Sequence, residues 1–244
     1  MSHPHSSAFP GDRIIDVDEV DIRVVPGPHP AELINEQLIN ELWVREKAAN
    51  PALYDGRVLM PFRLALQARR LVGTCYRTRF AAVTYWVRNP QLDDCPLAYA
   101  NAMLVTSDNA LVAVEMARHT LNAGLVYFAS GGFDEEDVRD GKLDVWGNMC
   151  RETLEETGLE IGGLPRDPGF RVLPASNGLA ITTRVFLSLT AVEAEERIRD
   201  FLAKEQAPEI CGPVIIRETS IPDTMLAPQM LPLINWHFAT PRVG

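Results

Sequence analysis

The chain lacks most of the features that would take it out of the ordinary globular class. No apolar run reaches the roughly 18–20 residues of a membrane-spanning helix, so no membrane partner is expected. Cysteine is scarce. The four residues Cys75, Cys95, Cys150 and Cys211 are widely separated, with no CxxC pair and no histidine at zinc-ligand spacing. That excludes a zinc module and a disulfide framework, and predicts buried free thiols in a reducing compartment. The opening stretch MSHPHSSAFPGDR has no apolar signal core, so a cytoplasmic location is expected. Residues 1–11 read as a disordered Ser/Pro-rich tail, which leaves His3 and His5 with little weight as ligands. Positive charge is in deficit: the net charge is −10, which argues against a nucleic-acid surface. A small anionic substrate stays compatible, because a bound metal supplies local positive charge. There is no internal repeat and no low-complexity tract.

What is present is a chain of 244 residues, 46% hydrophobic and 23% charged, with ample material for a core. Residues 12–25 alternate charged and apolar side chains and read as one or two edge strands. Residues 30–50 carry Leu33, Ile34, Leu38, Leu42 and Trp43 at helical spacing behind Pro30. Residues 57–88 read as two or three strands, RVLMPFRLALQARRL and then TCYRTRFAAVTYWV. They hold Arg57, Arg63, Arg69, Arg70, Arg77, Arg79 and Arg88, which either face an anionic ligand or pair with surface acids. The loop from Asn89 to Pro96 is the expected boundary. From Leu97 the pattern becomes strand, Asp108-Asn109 turn, strand, then LVYFASGG entering a glycine loop. Further on come two strands around Asn177-Gly178, a helix with Val192, Ile198, Phe201 and Leu202 inward, a strand at GPVIIRETSI and a last helix at PQMLPLINWHFAT. Mixed strands and helices with hairpins predict an α+β fold.

The stretch GGFDEEDVRDGKLDVWGNMCRETLEETGL, residues 131–159, carries the chemistry. A helix closed by Gly158 places Glu152, Glu155 and Glu156 at i, i+3 and i+4, on one face. Arg151, four residues before Glu155, offsets only part of that charge. A hard divalent cation with oxygen ligands would offset the rest, which predicts Mg²⁺, with Mn²⁺ as a substitute. The competing reading is a solvated acidic face. Trp146, Cys150 and Leu154 form the stripe expected to pack this helix on a sheet. His119 and His237 stand alone, without a partner that spacing can supply.

This run resembles the Nudix box of diphosphate hydrolases, G-x5-E-x7-R-E-U-x-E-E-x-G-U with U aliphatic. Arg151, Glu152, Glu155, Glu156, Gly158 and Leu159 match its second half in register. Thr153 stands at the aliphatic place, and the first half is stretched, so that counting back puts Leu143 where the first Glu belongs. Glu135, Glu136, Asp140 and Asp144 are the nearby substitutes. The resemblance implies an α/β/α sandwich with a mixed sheet over residues 97–244, preceded by a β-rich strand/helix region at 12–96. It also implies cleavage of a diphosphate linkage in a nucleoside diphosphate derivative: a nucleotide sugar, a coenzyme A derivative or ADP-ribose. Glu152, Glu155 and Arg151 would form the catalytic set. Glu152, Glu155, Glu156 and the Gly132 carbonyl would ligate the metal, with Arg151 holding a carboxylate in place. One more acid would come from Glu205, Glu209 or Glu218, with Glu209 favoured because it precedes a strand. The segment from Trp43 to Arg63, which includes PALYDGRVLMPFR, is similar to the N-terminal part of Nudix proteins that cleave UDP-sugars. The alternative is a Nudix-fold binding module without catalysis, and a homodimer is left open.

Overall fold

The computed structural model describes residues 9, 13–89, 97–176, 178–221 and 225–241. His3, His5, Cys95, most of the expected boundary loop and Asn177 of the hairpin signal therefore lie outside the described residues. In chain order the elements are β1 Ile15–Val17, β2 Glu19–Pro28, α1 Pro30–Ala49, β3 Arg57–Gln67, β4 Arg70–Arg79, α2 Phe80–Arg88, β5 Ala98–Val105, β6 Leu111–Met116, β7 Val126–Tyr127, β8 Ser130–Gly131, β9 Val138–Arg139, β10 Lys142–Leu143, α3 Val145–Thr157, β11 Phe170–Ala175, β12 Gly178–Phe186, α4 Ala191–Leu202, β13 Ile210–Ile216 and α5 Met230–Ala239. The class is α+β, as the mixture of strands and helices predicts. Two compact units share the chain. The first holds Met1–Tyr99, Gly132–Val145 and Val172–Ile181; the second holds Ala100–Gly131, Trp146–Arg171 and Thr182–Gly244.

In the first unit a five-stranded mixed sheet runs β3-β4-β2-β10-β9. β2 is thus an inner strand of this sheet, parallel to β4 and flanked by β10, where alternation alone predicted an edge. Both neighbours come from elsewhere in the chain, so charged side chains on its outer face find cross-strand partners. Arg70 bonds Glu19 and Asp21, and Lys142 reaches Asp21 at 2.8 Å. Residues 80–88 form helix α2, against the strand expectation. Val83, Thr84, Tyr85 and Trp86 have strand propensity, but Ala81, Ala82, Tyr85 and Trp86 are buried at helical spacing against Ile39 and Met60. A carboxylate from a distant loop caps this helix: the Ala81 amide donates to Asp55 Oδ1 at 2.8 Å.

Helix α1 forms where Pro30 predicts it, and His29 caps it by accepting from the Ala31 amide at 3.2 Å. Its buried face is not the expected one. Ala31 and Ile39 are buried, Leu42 and Trp43 are partly so, while Leu33, Ile34 and Leu38 are 59%, 80% and 50% exposed. The small Ala31 lets α1 approach α2, and the helix turns accordingly. In α4 the inward residues are Ala191, Ala194 and Ile198, and Val192 points outward. Phe201 and Leu202 are half-buried, and a capping box, Thr190 with Glu193, fixes the start of the helix.

The second unit orders its strands as β12-β5-β6-β13, with β7 on β6 and β8 on β5. α5 is tied to this unit by a wholly buried guanidinium. Arg184 donates to Asp167 Oδ2 at 2.7 Å and to the Thr240 carbonyl at 2.8 Å, and lies 4.6 Å over the Trp236 ring. An unpaired buried charge would be costly, and here each face of the cation has a partner. Of the cysteines, Cys75 is buried, with its thiol pushed up to about 12 by desolvation. Cys150 is half-buried. Cys211 is exposed rather than buried, because the β13 ladder slips between Ile210 and Gly212 and turns it outward.

His237 sits on α5, buried, with neither ring nitrogen bonded among the described residues. Burial, helped by the nearby Arg184 charge, lowers its pKa from 6.5 to about 4. The unfolded chain therefore binds a proton that the folded chain refuses between those values. Stability is full above pH 6.5 and is lost as pH falls toward 4. His29, lowered to about 4 by burial, adds in the same sense. His237→Leu should remove up to about 3 kcal/mol of the acid loss without sacrificing a hydrogen bond. Chemical denaturation from pH 7.5 to 4.5 measures it, and an unchanged slope against wild type would contradict the assignment.

Candidate functional site

Helix α3 ends where the glycine predicts. Gly158 has φ +70°, and its amide bonds the Leu154 carbonyl at 2.8 Å. The face that packs inward is Val145, Met149, Thr153 and Glu156, with Asn148 and Thr157 beside it. Trp146 and Cys150 are half-buried and Leu154 is exposed, so the expected stripe is not the packed one. Trp146 lies instead beneath the Arg166 guanidinium, 4.5 Å from its ring centre. Thr153 is fully buried, which makes the aliphatic place of the box a packing position here.

The three glutamates do not share one environment: Glu155 is exposed, Glu152 is half-buried and Glu156 is buried. Glu156 is 4% exposed. Its Oε2 accepts the Ser130 amide at 3.2 Å from strand β8, and no Lys or Arg pairs with it among the described residues. Burial raises its pKa well above the usual carboxylate range, and the neighbouring charges of Glu152 and Glu209 raise it further. Glu152 and Glu155 are held by one guanidinium. Arg151 Nη2 meets Glu152 Oε1 at 2.8 Å, and Nη1 meets Glu155 Oε2 at 3.1 Å. Gly131 completes the arrangement: a Cβ there would land on the Glu152 carboxylate. Its need for glycine is one of close approach, not of backbone angle. At Gly132, where the sequence predicts a ligand carbonyl, an added Cβ would meet nothing.

The chain is structurally similar to Nudix hydrolases. A Nudix hydrolase from Nitrosomonas europaea aligns over 59% of this chain and 88% of its own, at 16% identity and TM-score 0.40. The M. smegmatis Nudix hydrolase RenU aligns over 60% and 89%, at 14% and 0.39. The E. coli ORF135 protein aligns over 58% and 88%, at 17% and 0.36. No protein-family model and no curated protein matches the chain. The chemistry rests on the residues themselves.

The stretched first half of the box has a structural cause. A two-rung hairpin, β9–β10, is inserted there and pairs with β2 through Lys142 and Arg23. Leu143 is a buried strand residue of this hairpin, as expected of an aliphatic side chain. Of the possible substitutes for the first Glu, Glu135 is taken by Arg77 at 2.5 Å, and Asp140 occupies the left-handed turn at φ +51°. The Asp144 amide bonds the Asp137 carbonyl. The arginines mostly pair with acids: Arg69 with Asp18, Arg70 with Glu19, Arg79 with Glu32 and Asp55, and Arg88 with Glu46. Among the later glutamates, Glu209 acts on Glu156. Its carbonyl accepts the Ala117 amide at 2.9 Å, which ties it to the end of β6. Glu205 lies in the turn after α4, and Glu218 in the tight turn between Arg217 and Ser220. His119 is exposed. Ser130 was not picked out by the sequence, and Gly131 entered only as a member of the glycine pair; its close approach to Glu152 is a contact between remote segments.

Among the described residues no three His, Cys, Asp or Glu side chains form a ready-made metal shell. Arg151 occupies Glu152 and Glu155, and Glu156 is turned onto the Ser130 amide. The donor set nevertheless fits a hard divalent cation: oxygens only, with one buried carboxylate crowded by like charges. Gly131→Ala tests the cradle. The added methyl group meets the end of a flexible side chain, so the fold should survive with melting lowered by only a few degrees. The displaced Glu152 should weaken Mn²⁺ binding about tenfold or more. Binding equal to wild type by paramagnetic titration would show that Glu152 takes no part.

Proposed function

We propose that this protein is a divalent-cation-dependent hydrolase that cleaves the diphosphate linkage of a nucleoside diphosphate derivative. The observation that carries this reading is Glu156, a buried carboxylate beside two further acids and with no counter-cation among the described residues. Self-repulsion of that kind is tolerated where a bound cation relieves it. When bound, the cation would neutralise phosphate charge and lower the pKa of an attacking water. Glu152, Glu155 and Glu156 would hold it, and the Gly132 carbonyl is a candidate further ligand. The chain's own part is positioning and proton handling. Ser130 orients Glu156, and Arg151 would release or re-aim Glu152 and Glu155 as the cation enters. Glu209 or a carboxylate not committed to the metal would take the proton from water. Mg²⁺ is the expected ion, with Mn²⁺ able to replace it, and the substrate is a nucleotide sugar, a coenzyme A derivative or ADP-ribose, the likeness of residues 43–63 to enzymes acting on UDP-sugars supporting the first. No helix among the described residues is long and apolar enough to cross a membrane, and a cytoplasmic location is proposed.

The test is release of nucleoside monophosphate from UDP-sugars, ADP-ribose and coenzyme A, with and without Mg²⁺. Glu156→Gln keeps the shape and helix propensity of the side chain but removes its charge. Turnover should fall by about two to three powers of ten, equivalent to about 3–4 kcal/mol of lost transition-state stabilisation. The metal-free variant should melt at or above the wild-type temperature, because a buried repulsion is gone. Glu205→Gln should change neither. Near-wild-type turnover of Glu156→Gln would remove the acidic helix from the mechanism.

A further inference from the structure

The hairpin that stretches the box does more than lengthen a loop. In the first unit it forms one edge of the five-stranded sheet, with β9 outermost and β10 against β2. Alternation along the strands sorts its side chains. Ile22 of β2 and Leu143 of β10 are buried, while Arg23 and Arg139 are exposed and Lys142 is partly exposed. Strand pairing puts these three cations in one row. Lys142 stands directly opposite Arg139 on one side and Arg23 on the other. Arg23 is opposite Thr74 of β4, and Thr74 is opposite Phe62 of β3. Residues paired in this way project from the same face of a sheet. A fourth cation stands beside Phe62. The Arg63 guanidinium lies 5.3 Å from that ring centre, on a residue held at the left-handed φ of +53°, a conformation costly for any residue with a side chain.

Like charges directly opposite one another destabilise a sheet, and little here offsets them. The acid bonded to the row is Asp21. It meets Lys142 at 2.8 Å and is shared with Arg70 at 2.9 Å. Among the described residues no carboxylate pairs with Arg23, Arg63 or Arg139, and the Arg139 guanidinium bonds the Val138 carbonyl next to it. Asp140, exposed in the hairpin turn, forms no ion pair with the row among the described residues. Carboxylates are not in short supply: the chain has 33 acidic residues against 23 Lys and Arg, and Arg70, Arg77 and Arg79 of the same sheet each carry one.

A row of this kind fits phosphate. Guanidinium groups offer a fork of donors to phosphate oxygens, and an ammonium between them adds a point charge. From Arg139 to Arg23 is two strand spacings, roughly 10 Å, the reach of a short run of linked phosphates. A long polyanion such as nucleic acid would meet repulsion from a chain of net charge −10. We infer that Arg23, Lys142 and Arg139 bind a di- or triphosphate chain, free or carried by a nucleotide, at a site made of different residues from the carboxylates of α3. The inference does not rest on the hydrolytic reading.

The test titrates tripolyphosphate and ATP into full-length protein in EDTA at low ionic strength, so that no divalent cation can draw phosphate to the glutamates. Wild type should bind tripolyphosphate, and less tightly as salt is raised. Arg23→Gln should bind about tenfold more weakly or worse, as loss of a hydrogen-bonded charge pair implies. Its melting temperature should be unchanged or raised, since a like-charge contact is gone. Arg139→Gln, on the edge strand, should show the same loss and serves as the readout if Arg23→Gln does not fold. Arg45→Gln removes an equal charge from the exposed side of α1 and should bind as wild type does. ATP binding as tight as tripolyphosphate or tighter identifies a nucleotide-borne chain, and weaker ATP binding identifies the free chain. Wild-type protein that binds neither overturns the inference. So does an equal loss in Arg23→Gln and Arg45→Gln, the mark of net charge rather than of the row. Hydrolysis with Mg²⁺ is read separately, so failure of either conclusion leaves the other standing.

Discussion

Burial of the Glu156 carboxylate is the constraint around which the second unit is arranged. The same residue belongs to the packed face of α3 and to the acidic face, because 3.6-residue periodicity makes positions 149, 152, 153 and 156 near neighbours on the helix. Packing the helix therefore drives a charge inward. The backbone answers with the Ser130 amide, and Gly131 makes room for Glu152 by having no side chain. Among the described residues there is no counter-charge for Glu156. Arg151 is spent on Glu152 and Glu155. An electrostatic deficit built into a packed helix is a poor way to stabilise a fold and a good way to hold a cation.

The arginines illustrate the opposite use of charge. In an acidic chain they could have formed an anion-binding surface. Instead Arg69, Arg70, Arg77, Arg79 and Arg88 spread over acids drawn from remote parts of the chain. Each such exposed pair contributes little. Their effect is to fix register: Arg70 with Glu19 and Asp21 locks β4 beside β2, and Arg88 with Glu46 holds α2 along α1. The hairpin that lengthens the loop before α3 is recruited into the same sheet by β2. It turns a departure from the sequence pattern into an ordinary piece of β-structure.

Local signals were legible. The glycine that stops α3, the Asp108-Asn109 turn between β5 and β6, and Pro30 at the head of α1 each act within a few residues of themselves, and each element lies where its signal puts it. Orientation was harder. Leu33, Ile34 and Leu38 have the spacing of a buried stripe, yet α1 turns them outward, because Ala31 and Ile39 fit the surface offered by α2. Trp146, Cys150 and Leu154 fail as a packing stripe for the same reason. A helix with apolar residues on two faces does not say which one faces its neighbour. The reading of 80–88 as strand failed because the cap that makes it a helix, Asp55, is 26 residues away.

The sequence by itself determined which residue types could do chemistry: three carboxylates in one helical register, closed by glycine and preceded by a glycine loop. Covalent spacing and helix geometry suffice for that. Tertiary structure alone decided which of the three is buried, which backbone amide holds it, and which glycine gives way to which carboxylate. It also decided that the charge of Glu209, the favoured one of three candidates, acts on Glu156. These are distances between segments remote in the chain, set by strand pairing and by packing of α3, and no local pattern encodes them.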